Sequence, residues 1–170
     1  ATEGGNDVAH LYDDPDTRDF LVASPDDAKL YGDEFFVRAS SFRYLYAYAA
    51  EDGNDVALLY DNPDTKDFLV ASPDEARLCS GDFYIRARSF RYLYAYATEG
   101  GNDVALLYDD PDTKDAFIAS PDQARLYGDE FFVRANSFRY VKSFATEGGK
   151  DVALLYDDPD AKDVFRTWPD

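Results

Sequence analysis

The side chains of this 170-residue chain that could do chemistry are mostly carboxylates. Asp and Glu together number 35, against 17 Lys and Arg, and the formal net charge is −18. Many of these acids lie close together in turns such as NDVALLYDDPDTKD, and carboxylate oxygens are ligands that calcium prefers. The pattern predicts calcium ligands at Asp13, Asp16, Asp61, Asp64, Asp109, Asp112, Asp157 and Asp160. The alternative interpretation is a solvated acidic turn that holds no ion.

Other chemically reactive side chains are scarce. His10 is the only histidine, Cys79 is the only cysteine, and we interpret both as tolerated substitutions without a chemical role. The chain contains no Ser-His-Asp set, no His or Cys pair with metal-ligand spacing, and no glycine-rich phosphate loop followed by a helix. We therefore expect a protein that is not an enzyme. A polysaccharide-degrading enzyme is the catalytic alternative.

The chain is an internal array of similar copies that follow one another directly. The copies are residues 1–48, 49–96 and 97–144, and residues 145–170 form a partial fourth copy. The second and third copies are identical at 30 of 48 positions without an insertion, so each copy is expected to occupy the same environment. Repeats of this kind stack in one dimension or close into a ring. We therefore treat residues 1–170 as a single repeat array.

Each copy contains short runs that are typical of β-strands, such as DVALLY, DFLVAS and RYLYAYA. They are separated by turn compositions such as GGND, DDPDT and YGDE. Proline in DDPD and SPD excludes a long helix through those points. The sequence therefore predicts an all-β fold.

A second period, half the length of a copy, appears in the charges. Asp and Arg alternate at every step of 24 along two series, apart from Asn62 in one of them. Opposite charges on neighbouring strands gain roughly 0.2–1 kcal/mol per pair, so alternation is expected if residue i stacks on residue i+24. This predicts a β-solenoid (parallel β-helix) with 24-residue coils, two per copy; the alternative is a β-propeller-like or other closed β array. The predicted charge ladder comprises Asp19, Arg43, Asp67, Arg91, Asp115, Arg139, Asp163, Asp14, Arg38, Arg86, Asp110, Arg134 and Asp158.

An aromatic series shares this half-copy spacing. It comprises Tyr12, Phe36, Tyr60, Tyr84, Tyr108, Phe132 and Tyr156. Alternation along a strand places these rings on the face opposite the Leu and Phe residues that precede them. An exposed column of rings could stack on sugar rings or pack against a second rod. The alternative is that bends of the coil turn the rings into the core.

Two resemblances accompany these patterns. The GGND turn and the DVA that follows it resemble the Gly-Asp turns of RTX-type calcium-binding solenoids of secreted bacterial proteins, although that family repeats the turn about every nine residues. Units such as GNDVALLYD, DFLVASP and FRYLYAYA resemble repeat arrays of very large secreted or surface proteins of environmental bacteria, planctomycetes among them. The second resemblance covers the whole chain and implies an extracellular or cell-surface location. Because the chain starts inside the repeat pattern, we expect a segment of a longer protein.

These observations favour a non-catalytic structural or adhesive module of a larger extracellular or cell-surface protein. The alternative is a carbohydrate- or protein-binding module that uses the aromatic column, with calcium as a stabilising ion and no other cofactor. The expected partners are a polysaccharide and further copies of the chain, joined end to end or side by side. The negative charge argues against nucleic acid, and no apolar run is long enough for membrane insertion.

Overall fold

The computed structural model describes residues 5–15, 17–50, 53–98, 100–111, 113–146 and 148–159. These residues form sixteen β-strands and no helix, so the all-β prediction is confirmed. None of them therefore belongs to a helix long and apolar enough to cross a membrane. The strands are β1 (Val8–Tyr12), β2 (Phe20–Ala23), β3 (Asp27–Tyr31), β4 (Phe36–Ser40), β5 (Tyr44–Tyr48), β6 (Val56–Tyr60), β7 (Phe68–Ala71), β8 (Glu75–Cys79), β9 (Tyr84–Arg88), β10 (Tyr92–Tyr96), β11 (Val104–Tyr108), β12 (Ala116–Ser120), β13 (Gln123–Tyr127), β14 (Phe132–Asn136), β15 (Tyr140–Phe144) and β16 (Val152–Leu155).

The strands build two sheets that face each other. One sheet has seven strands in the order β1-β5-β9-β8-β7-β11-β15, and the other has nine in the order β16-β12-β13-β14-β10-β6-β2-β3-β4. The chain passes from one sheet to the other and back, so that parallel strands of successive coils stack along each sheet. The molecule is a β-solenoid of about four turns and not a closed barrel, which confirms the predicted fold class.

The hydrophobic core lies between the sheets and is built mainly from Leu and Ala. Successive side chains of a strand point to opposite faces, so alternate residues enter the core. In β13, for example, Ala124 and Leu126 are buried, while Gln123, Arg125 and Tyr127 are half-buried on the outer face. The largest fully buried apolar side chains are Leu21, Leu30, Leu59, Leu69, Leu78, Ile85 and Leu107. The tyrosines lie outside this core, because none of those that the structure describes is buried.

Each full copy adds an antiparallel meander to one sheet. The meanders are β2-β3-β4 in the nine-stranded sheet, β7-β8-β9 in the seven-stranded sheet and β12-β13-β14 again in the nine-stranded sheet. Their tight turns coincide with the SPD and Gly-Asp compositions of the sequence, where Pro and Gly favour chain reversal. Successive copies therefore place their meanders in alternate sheets.

The spacing of stacked residues differs from the prediction. Val8 pairs with Tyr44, which is a step of 36, and Tyr44 pairs with Tyr84, which is a step of 40. The other parallel pairs repeat these two steps, so the predicted 24-residue coil, with two coils per copy, is wrong. Tyr44 and Phe68 are separated by half a copy and lie in the same sheet, but β9 and β8 lie between their strands. The meander is the physical reason, because it inserts two strands that lengthen each coil.

Candidate metal centre

Among the described residues, three clusters of carboxylates recur in the loops that cross between the sheets. They consist of Asp13, Asp19 and Asp55; of Asp61, Asp67 and Asp103; and of Asp109, Asp115 and Asp151. We call them the Asp triads. In each triad one loop supplies the first two residues, and the loop one coil further on supplies the third. One carboxylate oxygen from each residue can be chosen such that all three lie within 4.8 Å of one another.

The stacking step of 36 residues, which separates Asp19 from Asp55, brings the members of each triad together. Asp19 directly precedes β2 and Asp55 precedes β6, and these two strands are parallel neighbours. The backbone N–H of Asp19 donates to Oδ1 of Asp55 at 2.8 Å, and the N–H of Val56 donates to the carbonyl oxygen of Asp19 at 2.9 Å. The same contact joins Asp67 N–H to Oδ1 of Asp103 at 2.8 Å. The strand ladder therefore continues into the loops and fixes the carboxylates side by side.

The donors that hold the triads are uncharged. In the second triad Asp67 accepts bonds from the backbone N–H of Asn62 and the hydroxyl of Thr65, each at 2.8 Å. Asp61 accepts the backbone N–H of Thr98 at 3.0 Å and its hydroxyl at 2.8 Å. In the part of the chain that the structure describes, no ion pair includes a triad carboxylate. The triads are thus positioned by the backbone but not neutralised by basic side chains.

Burial makes the charged form of these carboxyl groups costly. Asp67 is 0% exposed, and desolvation raises its pKa. The pKa of Asp13 is raised to about 6, mainly by burial and also by the charges of Asp55 and Asp19, against the lowering effect of the Ala50 N–H. Desolvation is likewise the main cause of the raised pKa values of Asp55 and Asp61. Two ionised carboxylates 4.8 Å apart repel by about 3 kcal/mol at an effective dielectric constant of about 20. The raised pKa values in the first two triads therefore favour a bound proton or cation there.

The Gly-Gly turns approach the second and third triads so closely that no side chain fits. Gly101 has a φ of 60°, and a Cβ there would lie 2.4 Å from the carbonyl oxygen of Thr65 and 2.5 Å from Oδ1 of Asp103. Gly149 has a φ of 58°, and its Cβ would lie 2.0 Å from the carbonyl oxygen of Thr113. The Gly-Gly sequence therefore provides the positive φ and the space that bring the third Asp beside the first loop.

The triads offer the ligands that a hard divalent cation requires. Calcium takes oxygen ligands at 2.3–2.6 Å, so two oxygens bound to one ion are at most about 5 Å apart, and the triad oxygens meet this limit. An ion at this place would neutralise buried negative charge and join two successive coils. Magnesium demands near-ideal octahedral geometry at shorter distances and retains its water more strongly, so a set of loop carboxylates suits it less well.

The calcium ligands predicted from the sequence are only partly the residues of the triads. Asp13, Asp61 and Asp109 belong to triads. Asp64 and Asp157 are exposed and belong to none among the described residues, and Asp16, Asp112 and Asp160 lie outside those residues. Sequence reasoning missed Asp55, Asp103 and Asp151, and it assigned Asp19, Asp67 and Asp115 to the charge ladder. The sequence did contain one signal for the triads: the residues equivalent to Asp7, Asp13 and Asp19 are Asp in every copy.

The predicted charge ladder does not form, because residues separated by half a copy are not stacked. In the strand registers, no residue of either ladder series lies opposite another residue of the same series. The first series is Asp19, Arg43, Asp67, Arg91, Asp115 and Arg139, and the second is Asp14, Arg38, Arg86, Asp110, Arg134 and Asp158. Asp163 lies outside the described residues. Arg43 instead donates to Oδ1 of Asn6 at 3.1 Å and to the carbonyl oxygen of Gly81 at 2.8 Å. The alternation therefore reflects only the 48-residue repeat, in which one half of a copy has Asp where the other half has Arg.

The predicted aromatic column is divided between the sheets. Tyr12, Tyr84 and Tyr108 lie on the outer face of the seven-stranded sheet; Phe36, Tyr60 and Phe132 lie on that of the nine-stranded sheet; and Tyr156 follows β16. None is buried, so these rings lie outside the core, but they do not form the predicted single column. Rings stack instead between strands of successive coils, in Tyr12–Tyr48 at 5.0 Å, Tyr60–Tyr96 at 5.0 Å and Tyr108–Phe144 at 4.8 Å between centroids. We call these the aromatic pairs.

His10 and Cys79 occupy ordinary structural positions. The ring of His10 stacks on that of Tyr46 at 5.0 Å, with an interplanar angle of 12°. Cys79 is half-buried in β8, and burial raises the pKa of its thiol. A raised pKa lowers the thiolate fraction at neutral pH, which makes the sulfur less reactive. The positions of both side chains agree with the interpretation that they are tolerated substitutions.

No protein-family model, no curated protein and no solved structure matches this chain significantly. The class of this protein is therefore defined by its fold and by the Asp triads. It is an acidic, two-sheeted β-solenoid repeat protein, and the described part of the chain holds three equivalent Asp triads in its crossing loops.

Proposed function

We propose that this chain is a non-catalytic structural module of a larger extracellular or cell-surface protein, adhesive in role, whose successive coils are joined by calcium ions. The observation that carries this proposal is the recurrence of an Asp triad at three equivalent places among the described residues, with at least two of the three carboxylates buried in each. Each triad combines carboxylates of two stacked loops, so an ion there would strengthen the solenoid at its connections. β1 and β15 are the edge strands of the seven-stranded sheet, and an edge strand can pair through its backbone with a strand of another copy. This supports the adhesive part of the proposal.

An extracellular location agrees with this use of calcium. Modules outside the cell typically bind calcium with dissociation constants of about 10⁻⁴–10⁻³ M, which is matched to the concentration there. A role in catalysis is not favoured, because the three triads repeat one arrangement, whereas an active site usually breaks the repeat pattern at one place. Measurable hydrolase or lyase turnover on a panel of polysaccharides would contradict the non-catalytic part of the proposal.

The direct test is thermal unfolding with calcium and with an excess of chelator. At 1 mM calcium, a site with a dissociation constant of about 10⁻⁴ M stabilises the folded chain by about 1.4 kcal/mol, so three sites contribute about 4 kcal/mol. For a domain of this size we expect the melting temperature to rise by about 10 °C. Titration calorimetry should give a stoichiometry of three calcium ions per chain, and magnesium should stabilise the chain less.

Two Asp residues of one loop provide a matched pair of variants. Asp67→Asn removes a fully buried triad carboxylate, whereas Asp64→Asn changes an exposed carboxylate that belongs to no triad among the described residues. We expect Asp67→Asn to lower the stoichiometry from three to two and Asp64→Asn to leave it unchanged. A melting temperature that is the same in calcium and in chelator would remove calcium from the proposed function.

A second candidate function is carbohydrate binding by the outer faces. The observation that favours it is the presence of the aromatic pairs on both sheets, because exposed flat rings provide apolar platforms for sugar rings. Tyr60 is half-buried, and Tyr12 is 65% exposed, so both rings are accessible from outside. A polysaccharide is thus the partner that this surface suits.

The carbohydrate proposal is tested on a glycan array. Binding should fall at least 10-fold in Tyr60→Ala and in Tyr108→Ala, because each change removes one ring of an aromatic pair. Tyr60→Phe and Tyr108→Phe keep the rings and should retain most of the affinity. Binding that survives both alanine variants, or no binding to any glycan, would contradict this second function and leave the structural role intact.

A further inference from the structure

The outer face of each meander carries a cluster of charged side chains at equivalent positions. In the first meander the carboxylate of Asp27 accepts a bond from Nε of Arg38 at 2.7 Å and forms an ion pair with Lys29 at 3.6 Å. Ser40 adds its hydroxyl to the same carboxylate at 2.9 Å. One acid thus neutralises two basic residues that lie opposite each other on β3 and β4.

The second meander repeats the cluster with a longer acid. The carboxylate of Glu75 accepts a bond from Nε of Arg86 at 2.8 Å and forms ion pairs with both Arg86 and Arg77. Arg77 and Arg86 are directly opposite in the register of β8 and β9. In both meanders the carboxylate at the first strand position therefore forms ion pairs with two cationic side chains that face each other.

The third meander keeps both arginines but lacks the acid. Gln123 occupies the position of Asp27 and Glu75, and Arg125 lies opposite Arg134 on β13 and β14. Arg125 donates to the neutral Oε1 of Gln123 at 3.1 Å. Nε of Arg134 is buried and has no hydrogen-bond partner among the described residues. Two like charges directly opposite are unfavourable, so an anion from outside the chain would be attracted here.

Aromatic rings flank this pair of arginines. Tyr94 on β10 is the register neighbour of Arg134, and its ring centroid lies 5.5 Å from that of Phe132. The ring of Phe132 also stacks on that of Tyr127 at 6.2 Å. All three rings are half-buried on the same outer face. The site thus combines an apolar platform with two adjacent guanidinium groups.

We propose that Arg125 and Arg134 bind the carboxylate of an acidic sugar, a uronate residue of a polysaccharide, whose ring lies against Tyr94 and Phe132. The proposal rests on the carbohydrate-binding function above and names the substrate class. The ligand carboxylate supplies to Arg125 and Arg134 the negative charge that Glu75 supplies to Arg77 and Arg86 in the second meander. The platform of rings is what favours a sugar acid over a carboxylate of another protein chain.

The negative charge of the chain sets the conditions for binding. The distant acids repel a polyanion, but at an ionic strength of 0.15 M the Debye length is about 8 Å, so the nearby arginines dominate. Calorimetric titration is therefore carried out at this salt concentration with a trisaccharide that bears one glucuronate. The methyl ester of the same trisaccharide is the neutral counterpart, and acetate is the probe for the carboxylate alone. We expect one trisaccharide per chain and at least 10-fold weaker binding of the ester and of acetate.

Two reciprocal variants test the assignment of the site. Gln123→Glu supplies the carboxylate from within the chain, so the affinity for the trisaccharide should fall at least 10-fold without loss of thermal stability. Glu75→Gln removes the acid from the second meander, so a second site should appear and the stoichiometry should rise to two. Tyr94→Ala should weaken binding of the trisaccharide at least 5-fold and leave binding of acetate unchanged.

The outcomes separate this site from the broader carbohydrate function. Equal binding of the acid and its methyl ester would overturn the arginine site while carbohydrate binding stands. No binding of either compound would overturn both. Acetate that binds as tightly as the trisaccharide would overturn the role of the rings. Self-association that disappears in Gln123→Glu, measured by sedimentation velocity, would overturn the sugar as ligand in favour of a carboxylate of a second chain.

Discussion

At the scale of single residues, the Asp triads make the stability of the chain depend on what neutralises them. Asp61 and Asp67 are buried and receive neutral hydrogen-bond donors, which orient their oxygens but do not cancel their charge. If calcium binds as proposed, protons and calcium ions compete for the same oxygens, because a metal binds the ionised carboxylates. The pH dependence of stability should therefore change with the presence of the metal.

In excess chelator we expect the stability to fall as the pH rises from about 4 to 7. The pKa of Asp13 is raised from 3.8 to about 6 in the folded chain, and the pKa values of Asp55, Asp61 and Asp67 are also raised. A group with a raised pKa binds its proton more tightly when folded. It therefore contributes stability below pH 3.8 that is lost as the pH rises through about 6. Chemical unfolding at several pH values measures this trend.

Calcium should oppose this trend, so its stabilising effect should be larger at pH 7 than at pH 5. Asp27 and Glu75 have lowered pKa values, because their Arg partners favour the charged form. Their effect is confined mainly to more acidic conditions, below pH 4.5, and does not mask the predicted window. The variant Asp13→Asn should flatten the curve in chelator. A chelated chain whose stability rises steadily from pH 4.5 to 7 would contradict this account.

At the scale of elements, the side-chain alternation of each strand decides what enters the core. In β11, Ala105 and Leu107 face inward and are buried. Val104, Leu106 and Tyr108 lie on the outer face and are half-buried. This alternation was predictable, because a strand has a period of two and the apolar residues of each run follow it. The antiparallel meanders were not predicted, because short strands separated by turns are equally compatible with a simple coil.

Adjacent leucines in β11 provide a test of this arrangement. Leu107 is 0% exposed between the sheets, so Leu107→Ala should destabilise the chain by about 2–5 kcal/mol through lost burial and a cavity. Leu106 is half-buried on the outer face, so Leu106→Ala should cost less than about 1 kcal/mol. Urea unfolding of both variants in the same buffer measures the difference. Equal destabilisation would show that the two faces of β11 are not distinct.

At the scale of the whole molecule, two sequence copies make one structural period. The seven-stranded sheet holds one meander and the nine-stranded sheet holds two, because successive copies contribute to alternate sheets. Nine strands about 4.8 Å apart give a stack roughly 40 Å long. The first and third triads lie where the chain leaves the seven-stranded sheet, and the second lies where it leaves the nine-stranded sheet. Ions in the triads would therefore join coils on both sides of the solenoid.

The amino-acid sequence by itself determined the all-β class, the repeated copies, the stacked architecture and the location of acids in turns. These features follow from local composition and from side-chain alternation, which act over a few positions. Only the tertiary structure decided which turns meet, because several different stacking steps would bring similar side chains together in this repetitive chain. The meander strands settle the choice through backbone hydrogen bonds to distant strands. Asp67 thus lies beside Asp103 and not beside Arg43 or Arg91.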